Sequence, residues 1–138
     1  YFEMKKISTV SLSCNKPDEK VLSIAEQCIE ILLSQSIKVL IDKSLSKVKL
    51  SKVPIVSPHK IIKESDLVIA IGGDGTMINC SRKFGVEGIP ILGINLGNLG
   101  FLNDIDPKDL TESILGVIAG DYIEDERLFL GNPKIGSL

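Results

Sequence analysis

With 138 residues, the chain is one domain's worth, long enough to bury a real core and too short for two ordinary domains. Hydrophobic residues at 43% and charged residues at 25% argue against disorder, and a formal net charge of -2 without a long run of lysine or arginine excludes the footprint of a nucleic-acid binder. Apolar runs such as Leu67 to Ile71 are far too short to span a bilayer and no secretory pattern precedes them, so the expected setting is cytoplasmic, away from membranes.

Tyr1-Phe2-Glu3 ahead of Met4 reads as the remnant of a cleaved tag, which starts the domain at Met4. Lys6 to Leu12 alternates β-branched and apolar residues and predicts a first strand, closed by the polar break Ser13 to Lys16. Pro17, Asp18 and Glu19 suit a first helical turn, and Val21, Ile24, Ala25, Cys28, Ile29 and Leu32 then recur at helical spacing to about Gln35. Lys38 to Ile41 is a short second strand. Leu45 to Val56 carries only a weak pattern and receives no assignment; its lysines Lys47, Lys49 and Lys52 read as a solvated loop or helix face.

Ser57-Pro58 opens a brief helix over His59 to Glu64. Leu67 to Ile71 is an uninterrupted apolar strand, the habit of a central parallel strand covered on both faces, and Gly72 and Gly73 end it. A helix is expected over Thr76 to Phe84, a turn over Gly85 to Gly88 and another apolar strand over Ile89 to Ile94. A glycine-containing loop runs from Asn95 to Phe101. Asp106-Pro107 then reads as a cap and first helical residue, with Leu110, Ile114, Val117 and Ile118 lining the buried side of a last helix. Ile123 to Leu130 looks like the start of an exit strand, and the tail to Leu138 has no periodic pattern. Alternating strands and helices predict an α/β fold with a doubly wound, mostly parallel sheet over residues 4–122.

Cys14, Cys28 and Cys80 stand far apart with one histidine, His59, in the chain, which supports neither a disulfide framework nor a protein-held metal. The informative segment is Ile71-Gly72-Gly73-Asp74-Gly75-Thr76, an abrupt strand-to-helix switch at a strand's carboxyl end, where open parallel sheets bind ligands. Glycines let backbone N–H groups approach a phosphate, the following helix presents its positive end, and Thr76 can cap that helix or donate to a phosphate oxygen. The spacing matches neither a Walker A loop nor GxGxxG. Asp74 would repel phosphate, so its natural partner is a ribose hydroxyl or a metal ion; in phosphoryl transfer it would orient the attacking hydroxyl and take its proton. The bland alternative is a tight Asp-Gly turn.

A second segment, Gly93-Ile94-Asn95-Leu96-Gly97-Asn98-Leu99-Gly100-Phe101-Leu102, also follows an apolar strand. Asn95 offers an amide, Gly97 and Gly100 allow close backbone approach, and Phe101 is either a flat face for a base or a core aromatic.

The two segments together resemble the NAD kinases. Gly72-Gly73-Asp74-Gly75-Thr76 is similar to a motif shared with diacylglycerol-type lipid kinases and, in a close relative, phosphofructokinases; Asn95-Leu96-Gly97-Asn98-Leu99-Gly100-Phe101-Leu102 points to NAD kinase itself. The resemblance covers about Lys5 to Leu130 and implies a Rossmann-like, phosphofructokinase-like amino-terminal domain. It implies that Asp74 accepts the proton of the 2′-hydroxyl of NAD's adenosine ribose and that Gly75, Asn95 and Phe101 lie at the dinucleotide. Gly72, Gly73, Gly75 and Thr76 would stand at the phosphate donor, ATP or polyphosphate, with Mg²⁺ arriving on ATP, and Gly97, Leu99 and Gly100 would form the second glycine loop. Arg82 can reach a phosphate by its length or be a solvated helix-face arginine. Family members continue into a β-rich second domain holding an Asn-Glu or Asn-Asp pair that binds NAD. No such second domain follows within these 138 residues, and the fragment is expected to be inactive alone; the full-length protein is expected to be a homo-oligomer. A non-catalytic nucleotide-binding module and a lipid or sugar kinase with the same turn are the alternatives.

Overall fold

The computed structural model describes residues 7–48, 53–96, 109–119 and the backbone of 128–129. Six strands form one sheet: β1 (Thr9–Cys14), β2 (Lys38–Asp42), β3 (Ile55–Val56), β4 (Leu67–Gly72), β5 (Ile91–Asn95) and β6 (Leu128–Phe129). Their order is β3-β2-β1-β4-β5-β6, with β6 antiparallel to β5 and every other pairing parallel. The chain winds outward from β1 to β3, crosses back, and winds outward again from β4. The order therefore reverses between β1 and β4, which places a crevice beyond their carboxyl ends.

Four α-helices cover the sheet: α1 (Glu19–Ser34), α2 (Pro58–Glu64), α3 (Asp74–Lys83) and α4 (Leu110–Ile118). On one face Val21, Ile24, Ala25, Cys28, Ile29 and Leu32 of α1 and Leu110, Ile114 and Val117 of α4 pack with Val10, Leu12, Leu67, Ile69, Ile71, Leu92 and Ile94. On the other, Ile61 of α2 and Met77 and Cys80 of α3 pack with Val68, Ala70 and Ile91. Burial on both faces is why β4 reads as an unbroken apolar run. Ile118, expected in the buried row of the last helix, is partly buried against that core.

The elements expected from periodicity are present, with shifted ends. β1 runs to Cys14, so Ser13 and Cys14 belong to the strand rather than the turn. Its serines face the α2/α3 side, where Ser11 meets the Ser65 hydroxyl and Ser13 donates to Asp42 Oδ2 at 3.3 Å. Asp18, not Pro17, opens α1: its carboxylate caps the helix by accepting from the Val21 N–H at 2.9 Å, with Pro17 one residue outside. Just ahead of the unassigned stretch Asp42 caps a 3-10 turn over Lys43–Leu45 that buries Leu45, and within that stretch β3 is a two-residue edge strand. Neither is long enough to leave a periodic signature. The helix beginning at Leu110 is described from Asp109 onward, and Asp106 and Pro107 lie outside the described residues.

The largest shift is at α3, which begins at Asp74 with Gly73 as its N-cap, two residues ahead of the expected start at Thr76. Gly72 adopts φ +150°, a conformation L side chains rarely take, and this lets the chain leave β4 and enter the helix within one residue. Asp74 and Gly75 thereby become its first turn.

Candidate functional site

Parallel pairing brings three strand ends together: Cys14 of β1 lies opposite Ile71 of β4, and Gly72 of β4 lies opposite Asn95 of β5. The Leu96 N–H donates to the Gly72 carbonyl at 3.0 Å, tying the residue after β5 to the end of β4. A crevice of about 400 Å³ opens beyond these ends. Asn15 and Lys16, following β1, and Asp18, Lys20 and Val21, at the start of α1, form one wall. Gly72, Gly73, Gly75 and Thr76 form the other, and Leu96 closes the end.

Each residue of the glycine turn has a distinct physical task. At Gly72 a Cβ would be driven into the Thr76 hydroxyl, so the turn closes only over glycine. A Cβ on Gly73 would meet nothing within 4 Å, and no side chain caps α3. The amino terminus of α3 thus opens at the crevice with no side-chain hydrogen bond capping its N–H groups. Thr76, expected as a cap or phosphate donor, is in the first turn and 4% exposed, pinned beneath Gly72 while still lining the crevice. α3 lies close against the sheet because Gly93 leaves room for the Met77 side chain, which a Cβ there would strike.

Asp74 is exposed in the first turn of α3, where the helix dipole favours its negative charge. Asn95, only 2% exposed, lies two residues beyond Gly93 on the same sheet face and is therefore aimed at that turn. Its Nδ2 donates to Asp74 Oδ1 in a long bond of 3.5 Å. Among the described residues no cation pairs with Asp74, so the carboxylate is held by a neutral amide, with its second oxygen left for an incoming group. The acid expected to carry the chemistry is neither buried nor neutralised.

Asp74, Gly75, Gly72, Gly73, Thr76 and Asn95 are thus brought to one rim. Arg82 is not: it stands exposed in the last turn of α3 and does not line the crevice. About eight residues at 1.5 Å each place it roughly 12 Å along the helix from Asp74. Gly97, Leu99, Gly100 and Phe101 lie outside the described residues. The opposite wall, with Asn15, Lys16 and Lys20, was missed by reasoning from motifs. Its available signal was positional, since Asn15-Lys16 directly follows an apolar strand as the other two segments do.

The cysteines take no part. Burial pushes the Cys28 thiol up to about 12 and the Cys80 thiol up to about 11, and raises that of Cys14. All three are buried, and thiols held this far from ionisation are not nucleophiles near neutral pH. Among the described residues no three His, Cys, Asp or Glu side chains cluster as a metal site, and no helix is long and apolar enough to cross a membrane.

A family model described as the ATP-NAD kinase N-terminal domain matches residues 10–122. The chain belongs to the NAD kinase family. Among NAD kinases, that of Marinobacter nauticus is 39% identical over 112 residues, covering 80% of this chain and 38% of its own length. The NAD kinase of Desulforamulus reducens is 35% identical over 124 residues, covering 90% of this chain and 43% of its own length. The chain thus spans about two fifths of the length of these relatives. The crystal structure of a yeast NADH kinase complexed with NADH matches with a TM-score of 0.66 over 84% of this chain and 37% of that one. At 18% identity it supports the fold, an α/β domain with a doubly wound sheet.

Proposed function

We propose that this chain supplies the catalytic carboxylate and the phosphate-donor loop of an NAD kinase. The protein transfers the terminal phosphate of ATP, or of polyphosphate, to the 2′-hydroxyl of NAD's adenosine ribose and releases NADP. The observation that carries the reading is the placement of Asp74: a solvent-facing carboxylate held by the Asn95 amide at the mouth of a helix that no side chain caps.

In this mechanism Asp74 accepts a hydrogen bond from the 2′-hydroxyl, orients its oxygen toward the terminal phosphorus and takes its proton as the new O–P bond forms. The bond from that phosphorus to the bridging oxygen breaks, and its electron pair leaves with ADP. Backbone N–H groups of the Gly73–Gly75 turn and the α3 dipole stabilise the charge on the phosphoryl oxygens. Asn95 fixes the carboxylate so that little reorganisation is needed at the moment of transfer.

An exposed carboxylate without a cluster of further ligands among the described residues suits Mg²⁺ carried by ATP rather than a resident ion. When bound, Mg²⁺ spreads the negative charge of the donor phosphates. The remaining dinucleotide contacts fall to Gly75, to Phe101 in the second glycine loop with Gly97, Leu99 and Gly100, and to sequence beyond this chain. On this reading the 138-residue chain alone does not turn over, and the complete enzyme works in the cytoplasm as a homo-oligomer.

The test is product analysis of the full-length protein given NAD and MgATP, or NAD and polyphosphate. Formation of 2′-phosphorylated dinucleotide is the expected result. Phosphorylation of a lipid or sugar, or nucleotide binding without any transfer, would replace the reading with one of its alternatives.

A further inference from the structure

The glycine turn has no cation of its own, and Arg82 is at the wrong end of α3 to provide one. The positive charge in the crevice comes instead from the opposite wall. Lys16 follows β1 and Lys20 occupies the first turn of α1, and both line the space that Gly73, Gly75 and Thr76 face. Among the described residues neither lysine has an acidic partner at ion-pair distance. We propose that Lys16 and Lys20 grip the phosphate chain of the donor, which makes the crevice the donor half of the site; the assignment rests on the kinase reading above.

Three observations choose an anion, and choose the donor over the dinucleotide. The first concerns the acid on the same wall. Asp18 spends its carboxylate on its own helix, accepting from the Val21 N–H at 2.9 Å, so α1 is already capped while α3 is not. An anion entering the crevice meets an open helix end on one side and two ammonium groups on the other, which act in the same direction and outnumber the single Asp18 carboxylate turned toward its own helix.

The second is the partition of the site. Asn95 and Met77 place the α3 side of the turn on one face of the sheet, and Asp74 is drawn toward Asn95 there. Lys20, Val21 and Leu96 belong to the α1 side, and Asp74 is not among the residues lining the crevice. The carboxylate is thus turned toward Asn95, and the glycines of the turn line the crevice with the lysines. The inner phosphates can therefore lie toward the lysines, with only the terminal phosphorus reaching the end of the turn where Asp74 holds the hydroxyl.

The third is the reach of Lys20. Its Nζ donates to the Leu96 carbonyl at 3.4 Å, which extends the side chain from α1 across to the residue after β5. One long bond to a carbonyl leaves two ammonium protons for phosphate oxygens, so Lys20 is already stretched over the crevice in the position a phosphate requires.

Calorimetric titration of the protein with sodium tripolyphosphate, MgATP and NAD separately tests the assignment, using Lys16→Gln, Lys20→Gln and the double substitution. Each single change is expected to weaken tripolyphosphate and MgATP about tenfold, with NAD affinity held within about twofold. Binding of tripolyphosphate to the unsubstituted protein should weaken with added salt more steeply than binding to the double variant. Lys16→Arg and Lys20→Arg, which keep the charge, should retain most of the affinity and control for misfolding. Unchanged tripolyphosphate affinity in the double variant, or a loss falling on NAD instead, overturns the proposal. If tripolyphosphate binding depends on the lysines but the protein makes no NADP, the lysine assignment stands and the kinase reading falls. If NADP is made and the lysine variants keep full donor affinity, the reverse holds.

Discussion

Replacing Gly72 with alanine isolates the turn on which the site is built. The substitution carries two costs with separate origins. A side chain at φ +150° stores backbone strain of about 1–3 kcal/mol. The new Cβ also collides with the Thr76 hydroxyl, and forcing an extra carbon into a packed position adds about 1–3 kcal/mol. A combined loss of about 2–6 kcal/mol is a large share of the roughly 5–15 kcal/mol that holds a domain together. Urea denaturation of the chain should show a lower midpoint with an unchanged slope, the mark of a stability change rather than a change in the unfolded state. Thr76→Ala in the Gly72→Ala background should restore the steric part and leave the backbone part, so the double variant regains about half of the loss. A Gly72→Ala protein within about 0.5 kcal/mol of the parent would refute the argument that glycine is required there.

Gly93→Val should destabilise by about 1–3 kcal/mol in the same denaturation assay, because its side chain strikes Met77 and lifts α3 from the sheet. Asn95→Ala should lower kcat about threefold to tenfold by releasing the Asp74 carboxylate, and should add nothing further in an Asp74→Asn background; an equal loss in both backgrounds would mean that Asn95 does not act through Asp74. The raised thiols predict an alkaline effect. Between 9.0, the ordinary thiol value, and about 11 or 12, the unfolded chain has lost the protons of Cys28 and Cys80 while the folded one keeps them. Stability is therefore level below pH 9, falls as pH rises through that window, and falls less in Cys80→Ala; denaturation midpoints measured from pH 8 to 11 check the sign.

Much of the fold was legible because its helices and central strands are long enough to repeat a pattern. The apolar positions of α1 are the same six residues that periodicity selects, and the lack of alternation in β4 reflects helices on both of its faces. β3 escaped because two residues at a sheet edge have no period to read. The start of α3 was placed late because Gly-Asp-Gly reads locally as a turn; one unusual dihedral at Gly72 converts it into the first turn of a helix.

The position of the carboxylate and its glycines was legible because a charge inside a glycine-rich strand-to-helix turn is chemically odd and demands a reason. The wall facing them was not. Lys16 and Lys20 are unremarkable surface lysines until β1 is known to lie beside β4, and that pairing joins segments more than fifty residues apart. Arg82 was drawn in by sequence proximity and by the length of its side chain, whereas the axial rise of α3 carries it away from the crevice.

In the proposed reaction Asp74 takes the proton of the attacking hydroxyl, and the most direct measurement is kcat for NADP formation by the full-length protein with Asp74→Asn. The amide keeps the size and the hydrogen-bonding reach of the acid but cannot take a proton, so kcat should fall by about 100-fold or more while NAD and MgATP still bind. Turnover within a few-fold of the parent would contradict it.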